Sequence, residues 1–419
     1  MNQEVCGWGA SDGARNALSA ALNGREAPFT PVAPLFVDCP FRGYVDRRLY
    51  GLWGRQVEEG GRVDVEFETY ARFRFEVMCE VIDRFNSPPC WVRFPWTPSR
   101  SEVEGCRVVR KAGRLVWVDQ GGAETPLTEQ LRLIDRRPGP WPMEHPASRS
   151  LKEVKEMLAR DPQGLIPPES LGDPGLRGES VSEGDLRAEG RLTVWDWLRQ
   201  RYRGAMPAYV MGSYPTQLTI DILGFESLMV GFLEAPEVVH QVSRLGMPKN
   251  RAYWKAVRDA GVEVVHLSEY SWGNQVSPKV YRELIAPYTR EMIDFYHGIG
   301  FRVLLYVMGD IRPILGQIAD QPFDALAVEE GRKGYELDIG FIRRELGGDR
   351  VLFGNVPTGL IVQGAPEDLL AEVRRQVSAA GGHGRFVVST GEPIPPETQP
   401  ERVRLFCDST RLIDMPNRT

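Results

Sequence analysis

FRVLLYVMGD, residues 301–310, has the pattern of a buried strand that ends in a short polar turn. Runs of the same kind recur through the second half of the chain, at 262–267, 325–328, 351–353 and 386–388. Their apolar residues are almost continuous and do not alternate with polar ones, so both faces of each strand are predicted to be buried. Parallel strands inside a ring of helices have this pattern.

An amphipathic segment follows each strand. After 262–267, Ser277 and Pro278 supply a helix N-cap and a first helical residue. From Val280 to Tyr296 an apolar residue then recurs at every fourth position, which predicts one buried helical face. This alternation of strand and helix predicts an α/β fold, a single (β/α)8 TIM barrel.

The first half of the chain is less regular. Residues 32–37 have the pattern of an opening barrel strand, and 208–211 resume the strands. Residues 65–85 are predicted to be helical. Two short runs, 106–110 and 114–118, predict a β-hairpin inserted on the barrel.

Residues 161–190 are rich in Gly, Pro and acidic residues and have little periodicity. A segment of this length and composition is either a mobile lid or a disordered loop. We therefore divide the chain into an N-terminal arm, 1–30, and a barrel, 31–419. The barrel carries an insertion at about 97–205.

Charge and composition exclude several classes of function. The net charge is −6, the pI is near 5.6, and no basic stretch is interleaved with aromatic residues. Nucleic acids and anionic membranes are therefore poor partners. The first 19 residues lack a signal pattern and the six cysteines form no CxxC pair, so we expect a cytoplasmic protein with reduced thiols.

Polar residues follow the predicted strands, where a barrel gathers its active-site groups into one mouth. Four of the six turns offer a carboxylate, and clustered carboxylates either raise one another's pKa or bind a cation. For Asp310 the alternative is helix capping, because Ile311-Arg312-Pro313 follows it. The residues at these turns are Gly212-Ser213-Tyr214, Glu269 to Asn274, Met308-Gly309-Asp310, Glu329-Glu330, Asn355 and Gly391-Glu392.

Local motifs for metals and nucleotides are missing from the sequence. The five histidines form no HExxH, HxH or Cys/His cluster, so no local zinc site is encoded. The sequence also has no GxxxxGK[ST] and no strand-linked GxGxxG, which argues against P-loop and Rossmann chemistry. Among the tryptophans, Trp272 alone lies on a strand-end turn and is expected to line a pocket.

From about residue 207 the order of these elements resembles the uroporphyrinogen decarboxylase superfamily. The N-terminal stretch 21–32 is also similar to that superfamily. The residues that carry the match are Ser277-Pro278 before Ile285-Ala286-Pro287-Tyr288, Met308-Gly309-Asp310, Phe353-Gly354-Asn355-Val356, Gly364-Ala365-Pro366-Glu367 and Ser389-Thr390-Gly391-Glu392. The resemblance implies a single (β/α)8 barrel. It also implies either decarboxylation without a cofactor or methyl transfer with a corrinoid carrier protein, usually with zinc.

The sequence departs from both branches of that superfamily. Around 36–51 it has Arg42, Arg47 and Arg48 without the decarboxylases' arginine-rich motif. Where the thiol-methylating branch has its His, Cys and Cys zinc ligands, this chain has Tyr306, Met308 and Glu392. A phenol and a thioether are poor zinc ligands, so we predict that the zinc site is lost and that acid/base groups replace it.

These observations favour an enzyme that transfers a methyl or other one-carbon group to a small polar substrate. Alternatives are a decarboxylase that grips a carboxylate, and a barrel that only binds a ligand or a corrinoid protein. Glu269 and Glu392 are the expected acid/base pair, Tyr306 a proton donor or oxyanion stabiliser, and Asn355 an orienting amide. The expected substrate-binding residues are Tyr214, Tyr270, Trp272, Asn274, Met308, Asp310, Glu330, Arg42 and Arg47.

We expect no tightly bound cofactor and no metal ligands from thiolates. A hard cation on the acid cluster is left open. The expected partners are a small-molecule substrate and a corrinoid-bearing protein, and a homodimer is compatible with the sequence.

Overall fold

The computed structural model describes residues 11–22, 29–35, 38–85, 91–127, 149–165, 181–202, 207–212, 215–269, 275–331, 334–381, 384–395 and 397–414. The strands are β1 (Arg62–Asp64), β2 (Val92–Arg93), β3 (Arg107–Lys111), β4 (Arg114–Val118), β5 (Glu124–Pro126), β6 (Ala208–Met211), β7 (Val264–Glu269), β8 (Arg302–Val307), β9 (Ala325–Val328), β10 (Val351–Phe353) and β11 (Phe386–Val387).

The helices of the first half are α1 (Ser11–Leu22), α2 (Asp38–Gly60), α3 (Phe67–Phe85), α4 (Arg100–Val103), α5 (Leu151–Arg160), α6 (Glu183–Ala188) and α7 (Thr193–Arg201). Those of the second half are α8 (Pro215–Leu223), α9 (Phe225–Glu234), α10 (Pro236–Leu245), α11 (Arg251–Asp259), α12 (Pro278–Val280), α13 (Ala286–His297), α14 (Leu315–Ala319), α15 (Ile339–Leu346), α16 (Thr358–Val362), α17 (Pro366–Ala379) and α18 (Pro400–Asp414).

A parallel sheet organises the fold. Within the described ranges it contains seven strands, in the order β11-β10-β9-β8-β7-β6-β2, and every pair is parallel. The α/β fold and the predicted strands of the second half are confirmed, with bounds that differ by at most two residues. Each connection carries at least one helix, which is the right length to return the chain to the amino end of the sheet.

Both faces of the sheet are buried, and alternate residues of each strand enter different apolar clusters. Along β8, Leu304 and Tyr306 belong to one cluster, while Val303, Leu305 and Val307 belong to the other. The first cluster, here called the inner core, joins side chains from β6 to β11, from helix α1 and from Trp91, which directly precedes β2. Its members include Leu18, Trp91, Tyr209, Val264, Ala327, Phe353 and Val387. The second, the outer core, lies between the sheet and the helices.

The segment 29–35 runs beside the β11 edge of the sheet. Val32 forms a parallel bridge with Val388, and the Ala33 amide donates to the Val388 carbonyl at 2.8 Å. On the opposite edge, the Trp91 indole donates to the Pro34 carbonyl at 2.9 Å. The predicted opening strand at 32–37 is therefore present as one bridge and its flanking bonds, and residues 36–37 lie outside the described ranges.

The helix that follows β7 is continuous from α12 to α13 through a π-helical turn, Tyr281–Ile285. The Ser277 hydroxyl accepts from the Val280 amide and caps it, as predicted. Pro287 has no N–H to donate, and the wider turn before it accommodates that loss. The predicted apolar face is buried at Leu284, Tyr288, Met292 and Tyr296.

A small antiparallel sheet stands apart from the parallel one. Its described strands are ordered β1-β3-β4-β5, and β3 and β4 form the hairpin predicted at 106–118. Ala112 and Gly113 have positive φ angles of 46° and 78°, which a tight two-residue turn requires. The strands β1 and β5 are too short and too exposed to leave an apolar pattern, and the sequence did not predict them.

The segment predicted as a lid or a disordered loop, 161–190, is partly regular. Helix α6 begins at its C-terminal side with a capping box between Ser182 and Asp185. The sequence prediction missed this helix because the box precedes only one buried apolar residue, Leu186. Residues 166–180 lie outside the described ranges, so both alternatives stand for them.

Helix α1 lies in the predicted N-terminal arm, and Leu18, Ala21 and Leu22 pack in the inner core. None of the described helices is by itself long and apolar enough to cross a membrane. The pair 216–223 and 225–234, bent by 106°, meets that criterion jointly by length and composition alone.

Candidate active site

The predicted strand-end residues share one edge of the parallel sheet. Glu269 ends β7, and Asp310, Glu330 and Asn355 follow the carboxyl ends of β8, β9 and β10. Because all the strands are parallel, these positions and Glu392 after β11 lie at the same edge. The structure then separates them by the direction in which each side chain points.

Glu269 lies on the outer face of the sheet. It follows Val265 and Leu267 at alternate positions, and both belong to the outer core. The Thr289 hydroxyl, on helix α13, donates to its carboxylate at 2.9 Å. Burial, together with the charge of Glu269 and a hydrogen bond to it, raises the pKa of the Tyr281 phenol well above its usual value. The side chain therefore faces the helices, which differs from its expected position in the mouth.

Glu330 also points away from the inner core. Its carboxylate accepts from the Thr358 amide at 2.7 Å and from the Thr358 hydroxyl at 3.2 Å. Thr358 is the first residue of helix α16, so the carboxylate stabilises the amino end of that helix. This contact holds the start of helix α16, and the expected substrate contact of Glu330 stays a prediction.

Glu329, its neighbour, occupies the inner face. Ala327 and Ala325, two and four residues earlier, both belong to the inner core. The fully buried carboxylate accepts from the Gly309 amide at 2.7 Å and from the Tyr335 hydroxyl at 2.8 Å. Glu329 thus connects the turn after β8 to the loop after its own strand.

Three acidic side chains affect the pKa of the Tyr335 phenol. Burial raises the pKa of Tyr335, and its hydrogen bond to Glu329 and the charge of Glu329 raise it further. The charges of Glu392 and Asp310 act in the same direction. Of these three acids, Glu329 contacts the Tyr335 phenol directly, and Glu392 and Asp310 act on it through their charges alone.

Asp310 is neutralised by its neighbour in sequence. Its two oxygens accept from the Arg312 guanidinium at 2.7 Å and 2.6 Å, and the Arg312 amide donates to it at 3.2 Å. These hydrogen bonds lower the pKa of Asp310 despite partial burial. These contacts agree with the alternative prediction that Asp310 caps a helix, because the short helix Arg312–Ile314 begins two residues after it.

Tyr306 and Met308 both face inward. Tyr306 is buried in the inner core, its hydroxyl donates to the Gly391 carbonyl at 2.8 Å, and Met308 packs against the same core. Gly391 lies so close to β9 that an added Cβ would be 2.2 Å from the Glu330 nitrogen. This contact holds the turn that carries Glu392 against the end of β9.

The amide of Asn355 is engaged on both sides. Its nitrogen donates to the carbonyls of Glu329 at 3.2 Å and Leu337 at 3.0 Å. Its oxygen accepts from the Gln376 side chain at 3.2 Å. Asn355 therefore positions the loop that starts at Glu329, and its expected function as an amide that orients the substrate stays a prediction.

Two inward residues were not predicted. Arg93 pairs in register with Tyr209, and paired residues of adjacent parallel strands share a face. Since Tyr209 belongs to the inner core, the Arg93 side chain lies on the inner face. The buried ring of His266 lies between Tyr209 and Tyr306, with ring centroids 5.7 Å and 6.0 Å away.

Several expected contacts fall beyond what the structure describes. Tyr214, Tyr270, Trp272 and Asn274 are outside the described residues, and so is the side chain of Arg42. Arg47 lies on helix α2, whose buried side chains belong to the outer core. These six positions remain predictions.

The donor set was also compared with the needs of a metal ion. Across the described ranges, no three His, Cys, Asp or Glu side chains lie close enough together to hold one. The Tyr306 hydroxyl donates to the Gly391 carbonyl, and Met308 packs against the inner core, so neither side chain is arranged as a metal ligand. These residues do not fit the zinc that the methyltransferase branch uses, and the absence of zinc remains a prediction.

Comparisons with known proteins give one consistent result. A family model described as uroporphyrinogen decarboxylase (URO-D) matches residues 187–412. The uroporphyrinogen decarboxylase of Neisseria meningitidis is 27% identical over 190 residues, which are 44% of this chain and 51% of the relative. The methylcobamide:CoM methyltransferase of Methanosarcina barkeri is 23% identical over 192 residues, 45% of this chain and 53% of the relative.

The chain thus spans about half the length of these curated relatives. A solved methyltransferase structure from Methanosarcina mazei resembles the whole chain, with a TM-score of 0.55 and 16% identity over 96% of this chain and 99% of that one. At this identity the likeness concerns the fold, and it extends that fold to the irregular first half.

Proposed function

The chain belongs to the uroporphyrinogen decarboxylase family, and on that premise we propose that it transfers a methyl or other one-carbon group to a small polar acceptor. The observation that carries the proposal is the buried carboxylate Glu329 on the inner face, which accepts a hydrogen bond from Tyr335, a phenol whose pKa the charge of Glu392 also raises. Acidic groups held beside one another at the carboxyl edge of a parallel sheet are suited to proton transfer.

We infer that the sheet closes into an eight-membered barrel with segment 29–35 as its eighth member. This segment is bonded to the β11 side through Val388 and to the β2 side through Trp91. The Trp91 ring also stacks on Phe353 of β10, with centroids 5.4 Å apart. In a flat open sheet four strands would separate β2 from β10, so the contact supports closure.

In this proposal the acceptor binds at the mouth and loses its proton to Glu329 or Glu392. The new bond to the methyl carbon forms while the bond from that carbon to its donor breaks, and the electron pair remains on the donor. The Tyr306 hydroxyl donates to the Gly391 carbonyl and so holds the turn that carries Glu392, and its expected role as proton donor or oxyanion stabiliser stays a prediction.

The expected acid/base pair is thereby revised. Glu392 keeps its place in it, and Glu329 replaces Glu269, whose carboxylate is engaged by Thr289 on the outer face. The proposed reaction does not use zinc, because Tyr306, Met308 and Glu392 do not form a zinc ligand set. A methylated corrinoid on a partner protein is proposed as the donor substrate, by analogy with the methylcobamide:CoM methyltransferase of Methanosarcina barkeri.

Decarboxylation is the second candidate, and Arg93 is the observation that favours it. A guanidinium on the inner face is better suited to binding a substrate carboxylate than to binding an alkyl donor. In that reaction the bond to the carboxyl carbon breaks, carbon dioxide leaves, and the carbanion takes a proton from an acid of the mouth. A barrel that only binds a ligand is the third alternative.

Two assays separate these candidates. Wild-type protein is incubated without oxygen with methylcobalamin and a panel of small thiols, amines and alcohols, and loss of the methylcobalamin spectrum is followed. In parallel, carbon dioxide release is measured from uroporphyrinogen and small carboxylates. Transfer in the first assay supports the proposal, release in the second supports decarboxylation, and activity in neither leaves the binding barrel.

Glu392→Gln and Glu329→Gln then test the acid/base roles. Each removes a titrating proton with little change in shape, so kcat should fall by about 10²–10⁴ while KM changes much less. Glu336→Gln, an exposed residue beside Tyr335, is the matched control and should retain kcat. A Glu329→Gln enzyme with normal kcat would remove Glu329 from the mechanism.

A further inference from the structure

The loop after β9 is closed at its neck by one side chain. The Asn355 side-chain nitrogen donates to the Glu329 carbonyl at 3.2 Å and to the Leu337 carbonyl at 3.0 Å, so a single amide joins the two ends of the loop. An added Cβ on Gly331 would lie 2.8 Å from the Tyr335 carbonyl oxygen, so the two arms also approach each other closely. From the second arm, the Tyr335 hydroxyl donates to the Glu329 carboxylate at 2.8 Å. The contact between these two side chains therefore depends on how the neck is held.

Asn355 is held in turn by Gln376, a fully buried residue of helix α17. The Gln376 side-chain oxygen accepts from the Asn355 backbone amide at 3.1 Å. The Gln376 side-chain nitrogen donates to the Asn355 side-chain oxygen at 3.2 Å and to the Glu372 carboxylate at 2.7 Å. Gln376 therefore fixes both the main chain and the side chain of Asn355.

These contacts require an amide at position 376. The carboxylate of Glu372 can only accept hydrogen bonds, so the Gln376 nitrogen must face it and the Gln376 oxygen must face the Asn355 backbone amide. The space around this amide is also limited, since an added Cβ on Gly354 would lie 2.5 Å from the Gln376 oxygen. A side chain of similar length with different donors is therefore expected to disturb Asn355.

We propose that Gln376 is a positioning residue for the pair Glu329 and Tyr335, and that it acts through Asn355. Two hydrogen-bonded steps connect it to the pair, from Gln376 to Asn355 and from Asn355 to the Glu329 carbonyl. This assignment rests on the proposed function, because it adds a supporting residue to the proposed proton acceptor. Proton transfer depends steeply on the geometry of donor and acceptor, so a small displacement of the loop should lower kcat more than it lowers affinity.

Gln376→Met tests the assignment, because methionine has nearly the length of glutamine and lacks both N–H donors. We expect kcat, in whichever reaction the wild type performs, to fall about 10–100-fold while KM changes less than about three-fold. Gln376→Glu keeps an acceptor for the Asn355 backbone amide but loses both donors, so its kcat should also fall. Val373→Ala, at a buried position of the same helix, is the matched control. It should lower Tm by opening a cavity and should keep kcat when measured well below the transition.

Two further kinetic measurements separate positioning from stability. If Gln376 acts through Asn355, Gln376→Met should lower kcat little further in an Asn355→Ala background, so the two effects are not additive. The acidic limb of the pH profile of kcat/KM should also move to higher pH in Gln376→Met, because a carboxylate that loses a donor holds its proton more tightly. Val373→Ala should leave the pH profile unchanged.

Hydrogen–deuterium exchange tests the same contacts without turnover. In Gln376→Met and in Asn355→Ala, the peptide that contains residues 334–338 should exchange about 10-fold faster than in wild type, because its loop opens more often. The peptide that contains β7, 264–269, is the internal reference and should keep its wild-type rate. In Val373→Ala the ratio of the two rates should not change. Thermal unfolding verifies that each variant is folded, and Gln376→Glu replaces Gln376→Met in these tests if the latter does not fold.

Four results would overturn the assignment. They are an unchanged kcat in Gln376→Met, additive effects of Gln376→Met and Asn355→Ala, a pH profile that does not move, and wild-type exchange of residues 334–338. A wild type without turnover in any assay would overturn the proposed reaction alone. The exchange rates would then decide whether Gln376 positions the loop.

Discussion

Replacing Thr289 by Val tests whether Glu269 has a structural or a catalytic role. The Thr289 hydroxyl donates to the Glu269 carboxylate at 2.9 Å, and both side chains are at least 99% buried. Valine has almost the same shape, so the substitution removes the donor without opening a cavity. A hydrogen bond to a charged group contributes about 1.5–3 kcal/mol, and that is the expected loss in the free energy of unfolding.

The corresponding change in Tm follows from the size of the protein. Unfolding entropy is roughly 2.1 cal/mol/K per residue near the midpoint, so for 419 residues the loss corresponds to about 2–3 °C. Thr358→Val is the matched control, because Thr358 hydrogen-bonds Glu330, the other carboxylate that points away from the inner core. Its hydroxyl bond to Glu330 is longer, at 3.2 Å, and the Thr358 amide remains as a donor at 2.7 Å. Its loss should be below about 1 kcal/mol.

The assay combines calorimetric Tm with kcat in whichever reaction the wild type performs. A structural Glu269 predicts a lower Tm and a kcat within about two-fold of wild type when measured well below the transition. The reasoning is refuted if Thr289→Val keeps the wild-type Tm and loses most of its kcat. That result would return Glu269 to the acid/base pair.

Three further outcomes are expected. Gly391→Ala should lower kcat and should lower the free energy of unfolding by about 1–3 kcal/mol, because the added Cβ would lie 2.2 Å from the Glu330 nitrogen. Gly348→Ala is the control, because an added Cβ there would lie in open space and should change neither quantity. Burial opposes ionisation of Asp324, but hydrogen bonds led by the one from His297 at 2.7 Å outweigh it and lower its pKa. Its contribution to stability is therefore present above the unfolded pKa of about 3.9 and is lost as the pH falls through the folded value. Denaturant titrations of Asp324→Asn should lose this acid-dependent part while wild type keeps it. Elemental analysis of the purified protein should find no stoichiometric zinc, and one tightly bound zinc per chain would contradict the loss of the inherited ligands.

Hydropathy and turn residues were sufficient to predict much of the architecture. The apolar run at β8 and its equivalents predicted parallel strands because strands covered on both faces have no polar side. Ser277 and Pro278 located the start of a helix, since caps satisfy backbone groups locally. The runs 106–110 and 114–118 located a hairpin, and the short link between them makes the tight turn with positive φ at Ala112 and Gly113.

The sequence by itself determined the order of strands and helices and the set of polar residues at one edge of the sheet. Only the tertiary structure decided which of these side chains face the mouth. Strands that are apolar on both faces show no period of two, so the pattern could not tell Glu329 from Glu330, or assign Glu269 to the outer face. Strand pairing and the packing of the two cores fixed the face of each residue, and Thr289 and Thr358, on helices later in the sequence, supply the donors that a buried outward carboxylate requires.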